Sequence, residues 1–310
     1  MDKISIIVPC YNEEAAIPLF YREISKIMNK MKQVKFELLF INDGSNDNTL
    51  KEIKTLANSK KEIKYISFSR NFGKEAAIYA GLEHSTGDYV TLLDVDLQDP
   101  PEFIEEMYRI IKGEDIDCVG LKTDEHKEYG IFRRFFTSCY YKLVSKLSKT
   151  EMVPGARDFR LMTRQMADAV LELKEYNRYS KGIFSFVGFE TKWITYKVPK
   201  RVAGSSKWSL FKLFVYAIDA IVGFSTVPLT ISTIVGVLFC FISIVAIIII
   251  IIKTLIFGDP VDGWPSLVCI MFFLSGIQLF CTGISGAYLS KTYTEVKRRP
   301  IYIIKETNYK

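Results

Sequence analysis

The feature that most limits how this chain can fold is the absence of charge over long stretches near its carboxyl end. No charged residue occurs from Ala220 to Ile252, and a second uncharged stretch runs from Gly263 to Ser290. Each exceeds the roughly 20 apolar residues that a helix needs to cross a bilayer. We predict a hairpin of two transmembrane helices. The alternative, two helices buried in a soluble core, is disfavoured because such helices rarely run this long without charge.

Cations that flank the two predicted spans indicate their orientation. Lys207 and Lys212 precede the first span, while Lys291 and the basic residues 297–299 follow the second. Because positively charged flanks tend to stay in the cytoplasm, both ends should be cytoplasmic and the connecting loop should face outward. No longer apolar leader precedes the first strand-like run, so the preceding domain is expected to face the cytoplasm from the inner membrane.

Charge and cysteine content disfavour several classes of protein. The net charge is +6, and the basic residues gather near the predicted spans, which favours anionic headgroups or lipid phosphates over nucleic acid as partners. The six cysteines form no C-x-x-C pair, which argues against a zinc site and against disulfides. Neither His84 nor His126 lies in a recognisable catalytic cluster, so nucleophilic catalysis by histidine is not expected.

Short apolar, β-branched runs alternate with helix-like segments over the first hundred residues. The alternation predicts an α/β, Rossmann-like, doubly wound sheet, in which ligands bind at the carboxyl ends of the strands. Polar clusters follow four of the predicted strands, at residues 9–13, 42–45, 69–73 and 94–96. These four loops should converge on one crevice. The predicted strands are Ile4–Val8, Phe36–Ile41, Ile63–Phe68, Tyr89–Leu93 and Asp117–Leu121, and the predicted helices are Ala15–Met31, Thr49–Asn58 and Lys74–Glu83.

Two amphipathic segments lie between the predicted sheet and the first span. Residues 129–147 place aromatic side chains on one helical face with Arg133 and Arg134 beside it, and Trp208–Phe224 leads into the span. Such helices can lie on a membrane surface or pack on the domain, and the two placements are compatible.

Two carboxylates on alternate residues follow the fourth predicted strand. Asp94 and Asp96 can reach one hard divalent cation, Mg²⁺ or Mn²⁺, and a nucleotide diphosphate would complete its coordination. An isolated pair of this kind is weak evidence, and a solvated loop is the ordinary alternative. The three other polar strand ends favour a metal site.

Four motifs occur in a characteristic order and spacing: IIVPCYNEE, FINDGSNDNT, SRNFGKEAA and DVDLQDPPE. Together they resemble the nucleotide-sugar domain of family 2 glycosyltransferases, which have the GT-A fold. GARDFRLM and RVAGSSKWS, followed by two spans, resemble the polyprenyl-phosphate glycosyltransferases, among them dolichyl-phosphate mannose synthases and bactoprenol glucosyltransferases. The resemblance covers essentially the whole chain. It implies a cytoplasmic GT-A domain at 1–200, a phosphate-binding loop and interfacial helix at 201–226, two transmembrane helices at 227–290 and a basic tail at 291–310.

The resemblance also implies roles for individual residues. An ordinary surface lysine and turn glycine remain the alternative for Lys74 and Gly73. The implied base- and ribose-binding residues are Pro9, Tyr11, Glu13 and Asp43; those facing the diphosphate are Arg70, Gly73 and Lys74; the metal-binding cluster is Asp94, Asp96 and Gln98; and Arg201 and Lys207 engage phosphates around a loop at 204–206.

The implied reaction is transfer of a sugar from a nucleotide-sugar to polyprenyl phosphate. A lipid monophosphate, whose second pKa is about 6 by analogy with phosphoamino acids, is already largely dianionic at neutral pH, so a strong base is dispensable. Direct attack predicts inversion at the sugar. Asp96 and Asp158 are the candidate catalytic residues, with Asp158 assigned to alignment rather than to base catalysis, and Arg133 and Arg134 are the candidates for the acceptor phosphate.

Two other functions are weighed against this one. A processive polysaccharide synthase shares the nucleotide-sugar domain, but no Gln-x-x-Arg-Trp motif occurs here. A catalytically silent scaffold would be expected to have lost Asp43, Asp94 and Asp96, which are all present. The sugar stays open, and a uridine donor is favoured only by the resemblance to bacterial members. A separate flippase is expected, and small residues in the second span leave a homo-oligomer open.

Overall fold

The computed structural model describes residues 1–123, 153–196, 222, 225–257 and 263–309. The chain divides into two compact units, and each is described separately. The first contains residues 1–145, 150–208 and 299–310, and the second contains residues 146–149 and 209–298.

An eight-stranded mixed sheet forms the first unit, in the order β7-β5-β6-β4-β1-β2-β3-β8. The four neighbouring strands β3, β2, β1 and β4 are mutually parallel, as the alternating sequence pattern predicts. Beyond them the sheet differs from a purely parallel one, because β6 is antiparallel to both β4 and β5. The strands are β1 (Lys3–Cys10), β2 (Lys35–Asn42), β3 (Ile63–Phe68), β4 (Tyr89–Leu92), β5 (Cys118–Thr123), β6 (Ala156–Thr163), β7 (Thr191–Tyr196) and β8 (Ile304–Thr307).

Helices cover both faces of this sheet. Strand β1 has buried side chains pointing both ways, because Ile6 belongs to the main core while Ile7 packs under α3. At Gly81 of α3, an added Cβ would lie 2.2 Å from the Ile7 side chain, so the missing side chain lets the helix approach the sheet. The helices are α1 (Ala16–Lys30), α2 (Thr49–Ser59), α3 (Lys74–His84), α4 (Phe103–Gly113), α5 (Arg164–Glu172) and α6 (Ser180–Phe186).

The second unit contains two long apolar helices, α7 (Val227–Phe257) and α8 (Trp264–Val296). They run antiparallel, with Phe239 of α7 packed edge-on against Phe273 of α8 at 5.8 Å between ring centroids. Within the described residues both helices are long and apolar enough to cross a membrane, and the apolar stretch of neither helix is buried inside the protein. The prediction of two long apolar helices is therefore confirmed. The alternative, that they are buried in a soluble core, is not supported, because their apolar stretches are not buried in the described structure.

The carboxyl-terminal residues differ from the predicted basic tail. Helix α8 continues to Val296, and the following segment returns to the first unit, where β8 pairs antiparallel with β3. The physical reason is that β3 would otherwise leave a row of unpaired backbone groups at the sheet edge, and Ile303 and Ile304 begin a run suited to covering it. Asn308 extends the pairing, since its Oδ1 accepts the N–H of Tyr65 at 2.7 Å.

Candidate functional site

A cleft of about 320 Å³ opens at the carboxyl ends of β1, β2, β3 and β4. All four polar loops contribute to its walls, as expected for a parallel sheet. Tyr11 is 43% exposed at the cleft, which leaves its ring free to stack on a planar ligand. Eight of the site residues expected from the sequence line the cleft: Pro9, Tyr11, Glu13, Asp43, Gly73, Lys74, Asp94 and Asp96.

Asp43 fixes the turn that forms one wall of the cleft, which we call the Arg70–Gly73 turn. Its Oδ1 accepts the N–H of Phe72 at 2.6 Å and its Oδ2 accepts the N–H of Gly73 at 2.9 Å. Burial raises the pKa of Asp43, and these two bonds oppose the rise. Gly73 has φ +96°, a conformation that other residues rarely adopt. Asp43 thus shapes the turn as well as facing the cleft.

Lys74 is held between two carboxylates at the first turn of α3. Its Nζ lies 2.8 Å from a carboxylate oxygen of Asp94 and 3.0 Å from Oδ2 of Asp158. Burial alone would lower the pKa of Lys74, but the two carboxylates raise it well above its ordinary value. Lys74 is therefore a charged residue of the cleft that is paired with two carboxylates, although its side chain is 44% exposed.

The two carboxylates respond differently to their surroundings. Burial raises the pKa of Asp94 above its ordinary value in spite of Lys74. Burial would also raise the pKa of Asp158, but Lys74 and Lys181 outweigh it and hold that pKa below its ordinary value. A carboxylate of lowered pKa is a weak base, so Asp158 is better suited to holding cations than to removing protons.

Oxygen donors for a divalent cation lie on the loop after β4. Asp94 lies at its start and Asp96 is exposed, with Asp96 Oδ1 accepting the N–H of Gln98 at 3.1 Å. In the described part of the chain, no three His, Cys, Asp or Glu side chains are grouped as a ready metal site. The carboxylates of Asp94 and Asp96, which both line the cleft, are the kind of ligand that fits Mg²⁺ or Mn²⁺, because such ions are commonly held by one or two carboxylates together with substrate phosphates.

Glu13 adds a further negative group to the cleft. Burial raises its pKa, and the carboxylates of Asp96 and Asp47 act in the same direction. Its backbone N–H donates to Thr49 Oγ1 at 2.8 Å, which joins the loop after β1 to the start of α2. A cation bound near Asp96 would relieve this accumulation of negative charge.

One buried group that supports the cleft was missed as a functional residue in the sequence. Asp99, which is 4% exposed, accepts a hydrogen bond from Arg157 Nε at 2.9 Å and another from the Tyr196 hydroxyl. These bonds tie the loop carrying Asp94 and Asp96 to β6 and β7. Its place within DVDLQDPPE is the only sequence signal for it, because its two partners lie far along the chain.

Additional cations surround Asp158. Arg160, 3% exposed, lies over the Phe184 ring at 4.0 Å, and burial lowers its pKa. Burial also lowers the pKa of Lys181, with Arg157 and Arg160 acting in the same direction. Sequence reasoning missed Lys181, because nothing in NRYSKGIF marks it as part of a site.

Other expected site residues fall elsewhere. Arg70 is exposed and places its guanidinium 4.5 Å from the centre of the Phe72 ring, and neither Arg70 nor Gln98 is among the residues that line the cleft. The other predicted positions lie outside the described residues: Arg133, Arg134, Arg201 and Lys207, together with the loop at 204–206 and, apart from residue 222, both amphipathic segments.

Known proteins are similar to this chain over nearly its whole length. Residues 5–171 match the domain family described as Glycosyl transferase family 2. The SfII prophage-derived bactoprenol glucosyl transferase of Shigella flexneri is 42% identical over 99% of this chain and 98% of its own length. The prophage bactoprenol glucosyl transferase homolog of Escherichia coli (strain K12) is 40% identical over 98% of each.

Among solved structures, a mannosyltransferase from Pyrobaculum calidifontis in complex with GDP-Man and Mn²⁺ is 15% identical, spans 94% of this chain and 86% of its own, and has a TM-score of 0.46. A likeness this weak does not bear on function. The family match over more than half of the chain and the full-length relatives identify this protein as a member of glycosyl transferase family 2, with the GT-A fold.

Proposed function

We propose that the protein transfers a sugar from a nucleotide-sugar to the phosphate of a polyprenyl lipid. The observation that carries the proposal is the full-length similarity to relatives named bactoprenol glucosyl transferase, which includes both the cleft and the two apolar helices. A silent scaffold would have no need of the carboxylates and the cation that line this cleft.

The donor nucleotide is proposed to occupy the cleft with its base beside Tyr11 and Asp43. The exposed ring of Tyr11 offers a stacking surface, and each Asp43 oxygen keeps a lone pair after accepting one backbone N–H. Uracil and guanine both carry an imide N–H that can donate there. A uridine donor is favoured by the similarity to the bacterial relatives, and the sugar itself is left to experiment.

The diphosphate is proposed to lie between Lys74 and the loop that carries Asp94 and Asp96. Asp94, Asp96 and Gln98 would hold a Mg²⁺ or Mn²⁺ ion there. When bound, such an ion stabilises the negative charge that develops on the departing nucleotide. Lys74 would supply a second, fixed positive charge beside the diphosphate, where negative charge develops as the acceptor attacks.

The acceptor phosphate is proposed to attack the sugar carbon directly. Being already dianionic, it needs no strong base, and the lowered pKa of Asp158 fits a role in holding Lys74 and aligning the reactants. Lys181 and Arg160 offer positive charge on this side of the site. Arg133, Arg134, Arg201 and Lys207 are proposed to add further phosphate contacts. A single displacement inverts the anomeric configuration.

The proposed lipid acceptor also implies how the protein is placed in the membrane. Helices α7 and α8 are proposed to span the inner membrane as a two-pass anchor, with the first unit on the cytoplasmic side where nucleotide-sugars are available. The cationic flanks of both helices support this orientation. A separate flippase would then carry the lipid-linked sugar outward, and an oligomer built on the small residues of α8 stays a proposal.

A donor panel tests the proposal. Full-length protein in detergent is incubated with Mg²⁺, undecaprenyl phosphate and, in turn, UDP-glucose, UDP-N-acetylglucosamine and GDP-mannose, and lipid-linked sugar is quantified. We expect one donor to give a product whose anomeric configuration is opposite to that of the donor. A product of retained configuration would refute single displacement, whereas polymer without lipid-linked monosaccharide would favour a processive synthase.

A further inference from the structure

The segment that follows α8 contacts the residue that precedes the Arg70–Gly73 turn of the donor cleft. The backbone N–H of Ser69 donates to the carbonyl oxygen of Ile303 at 3.0 Å. Ser69 immediately precedes the Arg70–Gly73 turn, whose Phe72 and Gly73 amides are bound by Asp43. One backbone hydrogen bond therefore joins the carboxyl-terminal segment to the residue next to this turn.

A row of aromatic rings runs beside this backbone. The ring of Tyr302 stacks on Phe68 at 5.0 Å between centroids with an interplanar angle of 22°. Phe68 in turn meets Phe72 edge-on at 5.8 Å and 89°. Phe72 belongs to the Arg70–Gly73 turn. Displacement of Tyr302 would therefore remove the ring packed on Phe68, and Phe68 in turn supports Phe72 of the turn.

Tyr302 is itself held from its other end. Its hydroxyl donates to Glu83 Oε2 and lies 3.1 Å from His84 Nε2, both near the end of α3. The ring is therefore fixed between the end of β3 and the end of α3. A side chain used only to cover the sheet edge would not need these polar contacts.

The opposite end of β8 provides a contrast. Asn308 lies beside the start of β3, where its side chain accepts the N–H of Tyr65 at 2.7 Å and donates to the carbonyl oxygen of Ile63 at 3.1 Å. It anchors the same strand to the same sheet edge, yet none of these bonds reaches the Arg70–Gly73 turn. The two ends of the segment can therefore be tested against each other.

We propose that Tyr302 is a positioning residue for the nucleotide of the donor, acting through Phe68 and Phe72 on the Arg70–Gly73 turn. The carboxyl-terminal segment then contributes to substrate binding as well as to the sheet. The identity of the ligand rests on the proposed function, whereas the effect on the turn does not.

The first test measures nucleotide binding by the full chain in detergent. Calorimetric titration with UDP, and separately with GDP, both with Mg²⁺, is compared for wild type, Tyr302→Leu, Tyr302→Phe and Asn308→Ala, alongside their melting temperatures. Tyr302→Leu should weaken binding about threefold to tenfold, the effect of losing one aromatic pair, while Tyr302→Phe keeps the stack and stays closer to wild type. Asn308→Ala should lower the melting temperature without weakening binding.

The second test needs no ligand. Hydrogen exchange is measured by mass spectrometry on peptides that cover residues 69–76. Exchange there should accelerate in Tyr302→Leu and stay at the wild-type rate in Asn308→Ala. Equal exchange in Tyr302→Leu and wild type, or equal acceleration in Tyr302→Leu and Asn308→Ala, would overturn the inference. If wild type bound neither nucleotide, the proposed donor class would fail, and faster exchange confined to Tyr302→Leu would still support the positioning role.

Discussion

Lys74 Nζ lies 3.0 Å from Asp158 Oδ2, and this ion pair joins the start of α3 to β6 across 84 positions of sequence. The same ammonium group contacts Asp94 at the end of β4. A single lysine thus connects the donor side of the cleft with the side that carries Asp158. The pair also explains why Asp158 is a poor base, since the cation stabilises its ionised form.

Replacing Asp158 tests its role as a holder of Lys74. Asp158→Asn should lower kcat/KM about tenfold to a hundredfold, because a hydrogen bond between charged groups contributes about 1.5–3 kcal/mol. Steady-state kinetics in detergent would measure the change. Asp168→Asn, at an exposed aspartate that pairs with the half-buried Arg164 away from the cleft, is the matched control and should leave kcat/KM unchanged. A near-normal Asp158→Asn enzyme with unchanged sugar selectivity would remove the residue from the mechanism.

Gly44 tests the packing of the loop after β2 against the Arg70–Gly73 turn. It has φ +63°, and an added Cβ would lie 2.3 Å from the backbone carbon of Arg70. Gly44→Ala must therefore displace the turn, and it should lower the melting temperature, since strained backbone of this kind costs about 1–3 kcal/mol. It should also weaken UDP binding about fivefold or more, because the displaced turn carries Asn71 and Gly73 of the cleft wall. Gly113→Ala meets no atom within 4 Å and serves as the control. Unchanged nucleotide affinity in Gly44→Ala would show that the turn does not shape the site.

Metal dependence is tested by chelation and by Asp96→Asn. Asp96 is exposed, and its side-chain hydrogen bond with a described residue is made within its own loop, to the N–H of Gln98, so its replacement should leave the melting temperature unchanged. Sugar transfer should nevertheless fall at least a hundredfold in Asp96→Asn, and chelator should abolish it in the wild type until Mg²⁺ or Mn²⁺ is restored. Asp115→Asn, at another exposed aspartate outside the cleft, should transfer normally. Full activity in excess chelator would exclude the proposed ion.

Glu37 predicts how stability depends on pH. Burial alone would raise its pKa, but hydrogen bonds from Ser5 and Thr86 and the charge of Lys3 hold it below the ordinary value of 4.5. The folded state therefore binds fewer protons than the unfolded state, and this stability is complete above about pH 4.5 and lost as the pH falls through the lower, folded-state pKa.

Thermal melting in detergent, measured from about pH 3 to about pH 7, checks this dependence of stability on pH. Glu37→Gln should be less stable by about 1–3 kcal/mol at neutral pH, with a shallower loss of stability on acidification. Glu23→Gln, at an exposed ion pair, should follow the wild-type curve. Parallel acid curves for wild type and Glu37→Gln would show that this carboxylate does not govern the acid transition.

The parallel half of the sheet could be predicted because buried parallel strands appear as continuous apolar runs. Strand β1 and helix α3, for example, begin within one residue of the predicted positions. The cleft followed from the same pattern, since strand ends that share one edge bring their polar loops together. The two apolar helices were equally evident from their length and lack of charge.

In the other half of the sheet β5 was predicted, as Asp117–Leu121, but β6, β7 and β8 could not be, for physical reasons. Strand β6 carries Arg157, Asp158 and Arg160, and its polar composition hides its β-structure from any apolar pattern. The pairing of β8 with β3, like the contact of Lys74 with Asp158, joins residues far apart in sequence. The local periodicity of a sequence does not predict contacts between residues so far apart. The support of the site by Asp99 and Tyr302 therefore became evident only in the folded chain.

The central claim is that a lipid phosphate is the nucleophile, and a matched pair of acceptors tests it most directly. Full-length protein is supplied with its preferred nucleotide-sugar, Mg²⁺ and either undecaprenyl phosphate or undecaprenol, and lipid-linked sugar is measured for each. We predict product with the phosphate and none above background with the alcohol, because the phosphate is already ionised whereas a hydroxyl must lose its proton, and the lowered pKa of Asp158 makes that carboxylate a weak base. Comparable product from undecaprenol would contradict the account.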